Sequence, residues 1–186
     1  GGTGDGSLVS QKTGSYAGSS VSEVARNVMP SVVSITGISI QEIPNYFGFG
    51  TQKYEGQSSG SGIIVGQNDT ELLIATNNHV VKDTNSITVC FTNQDGTAAV
   101  SDTLTDTSMD SSDTESQDQN VDLENAVEAK IKGTDADNDL AVVAVKLEDI
   151  PEDVKSQIKV ATLGDSDSLI IGEQGVAIGN ALGYGQ

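Results

Sequence analysis

Between residues 31 and 147 the chain repeatedly gathers Val, Ile and Leu into short runs and then stops them with Gly, Asn or Asp. Runs this brief, rich in branched side chains, are too short for helices that bury a stripe and instead read as strands joined by tight turns. Six such segments stand out: 31–40 (SVVSITGISI), 60–65 (GSGIIV), 72–75 (LLIA), 87–92 (ITVCFT), 126–133 (AVEAKIKG) and 141–147 (AVVAVKL). In 126–133, Val127, Ala129 and Ile131 share one face, whereas 141–147 is a continuous apolar run but for Lys146. GQNDT at 66–70 and NQDG at 93–96 have turn composition, so 60–65 and 72–75 form a hairpin. The fold class is all-β, a barrel or a sandwich.

Other stretches frame this region. Residues 1–19 are Gly- and Ser-rich without periodicity and read as a flexible linker. Ser20 followed by Glu23 fits a capping box, and Val21, Val24 and Val28 recur at helical spacing until Pro30, which predicts one short helix. Residues 41–59 form a Gly-rich loop carrying Tyr46, Phe47, Phe49 and Tyr54, expected to fold back on the domain, with partner binding as the alternative. Residues 101–125 hold eight acidic side chains and no Lys or Arg, the signature of a solvated, self-repelling insertion.

Charge and cysteine usage exclude several functions. The formal net charge is −18 with only nine Lys and Arg, and these are scattered, so neither nucleic-acid phosphate nor an anionic lipid surface is an expected partner. One cysteine, Cys90, allows no internal disulfide, and with a single histidine it makes no ordinary zinc set; no metal and no cofactor are expected. Cys90 sits in ITVCF and is expected in the core. No apolar run is long enough to cross a bilayer, and the first residues lack the basic and apolar regions of a signal peptide.

His79 is the only imidazole in the chain. Leu72, Leu73 and Ile74 read as a buried strand, and Thr76, Asn77 and Asn78 break the apolar run, leaving His79 at the strand exit, where scaffolds present reactive groups. An isolated His beside an apolar segment is more often structural than catalytic, so a partner is needed. The connection GTDADND at 133–139 places Asp135, Asp137 and Asp139 at alternate positions. A calcium loop with this spacing needs Gly where Leu140 stands and Glu where Lys146 stands, so it does not fit. A carboxylate just before a buried strand can be held inward, desolvated, and used to orient an imidazole through its Nδ1 hydrogen. Asp139 is best placed. GQSSG at 56–60 formally matches a nucleophile elbow around Ser58, but such an elbow needs a strand before it and a helix after it, whereas a polar loop precedes Ser58 and a strand follows. Asn68-Asp69-Thr70 is a glycosylation sequon, taken as incidental.

TNNHVV at 76–81, GSGIIV at 60–65, NDLAVVAV at 138–145, LGDSD at 163–167 and GEQGVAIGNALG at 172–183 together resemble the HtrA (DegP-like) group of trypsin-fold serine proteases, in that group's order and over roughly residues 20–183. The resemblance implies an antiparallel six-stranded β-barrel, the N-terminal lobe of a trypsin-like double barrel, with His79 as general base and Asp139 as its orienting carboxylate. The aromatic stretch 41–59 then falls where such proteases carry a regulatory loop. Asn138 departs from the Thr or Ser usual there, and the acidic insertion is longer than in the group. The group's nucleophilic serine lies in a GNSGGP motif downstream of its GNxLG segment, and no such motif occurs up to Gln186, so these residues are expected to carry base and carboxylate alone and to be inactive.

The implied organisation is a linker at 1–19, a barrel lobe at 20–168 with the insertion 101–125, and the beginning of a second lobe at 169–186. A strand at 170–179 would expose Ile170, Ile171, Val176 and Ile178 and favour self-association. For the parent protein the resemblance implies unfolded or misfolded protein substrates and an extracytoplasmic location, anchored by a segment outside these residues. The competing readings are a non-catalytic acidic β module whose 101–125 loop binds cations or a basic protein, and a pseudoprotease.

Overall fold

The computed structural model describes residues 20–44, 51–99 and 126–179. The expectations for the linker 1–19, for Tyr46, Phe47 and Phe49, for the acidic stretch 101–125 and for the last residues of the 172–183 motif lie outside them.

The chain enters through α1 (Val21–Val28). Its capping box forms as expected: the Ser20 side chain accepts from the Glu23 N–H and the Glu23 carboxylate accepts from the Ser20 N–H at 2.8 Å. No residue of α1 is buried, so the cap rather than burial holds this helix. Pro30 then fits a single tight 3₁₀ turn, Met29–Ser31.

Six antiparallel strands follow: β1 (Val32–Pro44), β2 (Thr51–Gln67), β3 (Glu71–Thr76), β4 (Ser86–Phe91), β5 (Val127–Asp135) and β6 (Leu140–Lys146), with the one-turn helix α2 (Asn78–Val81) between β3 and β4. They close in the order β1-β2-β3-β6-β5-β4. The barrel, rather than the sandwich, is the architecture. Two bulges, at Ile64/Gly66 and Ile131/Gly133, supply the local bending that closure needs. Alternation sends Leu72, Ile74 and Thr76 of β3 inward, and likewise Ile87, Val89 and Phe91 of β4 and Ala141, Val143 and Val145 of β6. Beyond the barrel, α3 (Glu152–Lys155) inserts Val154, and Ile150 closes the same end.

Four expectations need correction. Cys90 lies on the outward face of β4 and is half-buried, because Val89 and Phe91 take the inward positions of a period-2 strand. Ile131 is exposed although Val127 and Ala129 are buried, since the bulge just after it breaks the alternation. The 41–59 loop is mostly strand: β1 and β2 stay in register out to Pro44 and Thr51, well beyond the last β1–β4 pair, Ile38 with Ser86. This ribbon projects from the barrel with both faces in solvent. It therefore lacks the hydrophobic alternation by which sequence reveals strands, and its pairing rests on backbone hydrogen bonds and on contacts such as Lys53 with Glu42 at 3.5 Å. Finally, 170–179 forms no strand. Ile170, Ile171 and Val176 are nonetheless exposed as the sequence suggested, Ile171 completely, whereas Ile178 is half-buried.

Candidate active site

Helix α2 is one turn long, too short to persist on its own propensity. Its Asn77 N-cap makes no side-chain cap. Burial of Val80 and Val81 in the barrel end anchors it, each worth roughly 1.5–3 kcal/mol. That anchoring turns His79 to the outside.

The turn is fastened to Asp139, which heads β6 across the sheet from the exit of β3. Asp139 adopts φ +52°, a left-handed conformation that Asp and Asn tolerate better than most residues. Its backbone carbonyl accepts the Asn78 N–H at 3.2 Å and the Asn77 side-chain amide at 3.0 Å. Its carboxylate accepts the His79 backbone N–H through Oδ1 at 2.8 Å and faces the ring Nδ1 through Oδ2 at 2.7 Å. Backbone and side chain of one residue thus grip three consecutive residues of α2 and its cap. With the carboxylate ionised, Nδ1 carries the hydrogen and the lone pair lies on Nε2, the tautomer a general base requires.

The electrostatics differ from expectation. Asp139 is not desolvated: its side chain is 45% exposed and that of His79 is 70% exposed. The carboxyl is held below its ordinary value of 3.8 first by the His79 backbone N–H, then by the imidazole hydrogen bond and the charge of that ring. Orientation here comes from hydrogen bonding, not from burial.

The neighbouring acids serve the turn. Asp135 accepts the Asn138 side-chain amide at 2.7 Å and the N–H groups of Asp137 and Asn138 at 3.1 Å, and the Asn138 amide is the main reason its carboxyl also lies below the ordinary range. Asn138, the departure noted above, thus closes the loop that presents Asp139. Among the described residues no group of three or more His, Cys, Asp or Glu is placed to hold a metal ion. The Asn68 sequon is a turn device: its Oδ1 accepts from the Thr70 and Glu71 N–H groups at 2.9 and 2.8 Å and closes the β2–β3 hairpin.

Of the residues singled out in sequence, His79 and Asp139 come together and Ser58 does not join them. Ser58 stands inside β2, without the strand-turn-helix of an elbow, and donates its hydroxyl to the Val80 carbonyl at 2.7 Å. Sequence reasoning missed Asn77. Its signal was the pair of side-chain amides directly before the histidine, at a strand exit where backbone groups lack ladder partners.

The profile of the trypsin-like peptidase domain family matches residues 60–186. "Serine protease Do-like HtrA" of Bacillus subtilis (strain 168) is 29% identical over 168 residues, which is 89% of this chain and 29% of that protein. "Probable periplasmic serine endoprotease DegP-like" of Pseudomonas fulva (strain 12-X) is 32% identical over 146 residues, 78% of this chain and 22% of that protein. A solved HtrA-type protease with a decapeptide superposes with a TM-score of 0.48 at 23% identity, covering 81% of this chain and 38% of that one. The chain spans less than a third of the length of these curated relatives.

Proposed function

Since the chain belongs to the trypsin-like peptidase domain family, with HtrA- and DegP-type serine proteases among its relatives, we propose that it supplies the proton-handling half of a serine endopeptidase site. The observation that carries this reading is the 2.7 Å contact between His79 Nδ1 and Asp139 Oδ2, braced by the His79 N–H on the other carboxylate oxygen.

His79 is the general base. Its Nε2 removes the proton from a serine hydroxyl as that oxygen attacks the scissile carbonyl, then returns the proton to the leaving amine. Asp139 stays ionised, fixes the tautomer and stabilises the imidazolium formed midway. The serine and the oxyanion-hole N–H groups belong to a second lobe of the same protease, beginning near residue 169, while residues 20–168 are the barrel lobe. The 186 residues by themselves are therefore inactive. Substrates of the whole protein are unfolded or misfolded polypeptides, and its location is extracytoplasmic, held there by a segment outside these residues.

Incubating the 186-residue chain with unfolded casein and a fluorophosphonate probe is expected to give neither cleavage nor labelling. In the longer protein, one serine outside these residues is expected to label, and His79→Ala to abolish the labelling. Labelling of Ser58, or labelling of the longer protein that is indifferent to His79→Ala, would overturn the assignment.

A further inference from the structure

From the hydrogen bonding around α2 we infer that Ser58 is a positioning residue for His79, acting through the Val80 carbonyl. This rests on His79 being the base.

The physical problem lies in the C-terminal end of the turn. A helix leaves its last carbonyls without partners, and in a four-residue helix these are most of the carbonyls present. Asn78 C=O accepts from the Lys82 N–H at 2.8 Å, and Val81 C=O from the Thr84 hydroxyl at 2.7 Å. Val80 C=O accepts from Ser58, a residue of β2 22 positions away in sequence. Asp139 holds the N-terminal side of α2 and Ser58 holds the other, so the turn carrying the imidazole is clamped between β6 and β2.

The surroundings of Ser58 are shaped for this contact. Gly37 is its cross-strand partner, and a Cβ there would come within 2.5 Å of the Ser58 hydroxyl and 3.0 Å of the Val80 carbonyl oxygen. A Cβ on Gly60, two residues along the same face of β2, would come within 2.5 Å of the Val80 side chain. Two glycines thus leave a notch in the sheet into which α2 settles, and between them stands the Ser58 hydroxyl that reaches the Val80 carbonyl. With alanine at 58 that carbonyl would lose its partner while staying beside the sheet, and the turn would rotate to find solvent. The imidazole is one residue away, so the rotation moves Nδ1 relative to Asp139 while leaving the barrel core alone. The sequence match around Ser58 is therefore meaningful in position but not as a nucleophile.

The chain contains a single histidine, so one imidazole signal reports the geometry. The tautomer ratio of His79 is read by long-range ¹H–¹⁵N correlation in the 186-residue chain, in Ser58→Ala and in Ser58→Thr, with the barrel amides recorded alongside. The wild type is expected to hold the Nδ1–H tautomer. Ser58→Ala is expected to shift the ratio toward Nε2–H by about fivefold, the weight of one ordinary hydrogen bond, with shift changes confined to 77–84 and 139; Ser58→Thr, which keeps the hydroxyl, is expected to restore the ratio. An unchanged ratio in Ser58→Ala overturns the inference alone. So does collapse of the barrel amides, which would make Ser58 a folding residue. A wild-type imidazole lacking the Nδ1–H tautomer overturns the dyad itself.

Discussion

Asp139 directs both its carboxylate and its carbonyl at the turn that holds the imidazole, and its titration follows from that. The folded-state value is lowered, chiefly by the His79 backbone N–H. A depressed carboxylate contributes stability that is fully present above the unfolded-state value and is lost as pH falls through the folded one. The thermal midpoint of the wild type is therefore expected to exceed that of Asp139→Asn at neutral pH, with the difference closing below about pH 4; a gap that persists unchanged at pH 2 would contradict the assignment. In the longer protein the same substitution is expected to lower kcat by about 10⁴-fold through the wrong tautomer, measured with a peptide substrate. Both members of the proposed dyad were singled out in sequence, His79 because it has no rival and Asp139 because it heads an apolar strand, and the two side chains do meet. Their exposure was not legible there, since solvent access depends on what packs above the barrel rim, and no local pattern encodes that.

Elements of this protein differ in how they are held, and the same kind of substitution should read out differently in each. Helix α1 buries nothing, so Ser20→Ala is expected to cost about 1 kcal/mol locally while leaving barrel unfolding almost untouched; amide exchange in α1 should accelerate with the global midpoint unmoved. In β2 the reverse holds. A Cβ on Gly62 would meet Ile35 and Ile74 side-chain atoms at 2.7 Å and Val33 at 3.0 Å, so Gly62→Ala overpacks the core and is expected to destabilise by about 2 kcal/mol in urea unfolding. Gly133→Ala, with nothing within 4 Å, is the control and should be close to neutral. Helix α1 was readable from its cap and the barrel strands from their alternation. The ribbon beyond residue 38 was not, because a strand wet on both faces has no apolar period to show, and Ser and Gly there look like loop.

For the whole molecule, a closed barrel of Val, Ile, Leu, Ala and one buried Phe91 carries the fold, and most of the described segment after Ala161 is exposed. Ala161 still donates to the Ile64 carbonyl at 2.8 Å; Leu163, Leu169, Ile170 and Ile171 then lie in solvent. Apolar surface of this kind favours association, so the 186-residue chain is expected to self-associate at high concentration by light scattering, and a double Ile170→Asp, Ile171→Asp variant to scatter as a monomer. A strictly monomeric wild type would refute this. Strands, turns and the α1 cap could all be read along the chain, because each is set by side chains within a few residues of one another. Closure of the sheet, the ribbon and the meeting of His79 with a carboxylate 60 positions away were decided only in three dimensions. So was the lack of a strand at 170–179, where branched residues are present but pair with none of the described strands. Backbone pairing and side-chain hydrogen bonds are contacts between partners, and a partner far along the chain leaves no mark on the segment that will meet it.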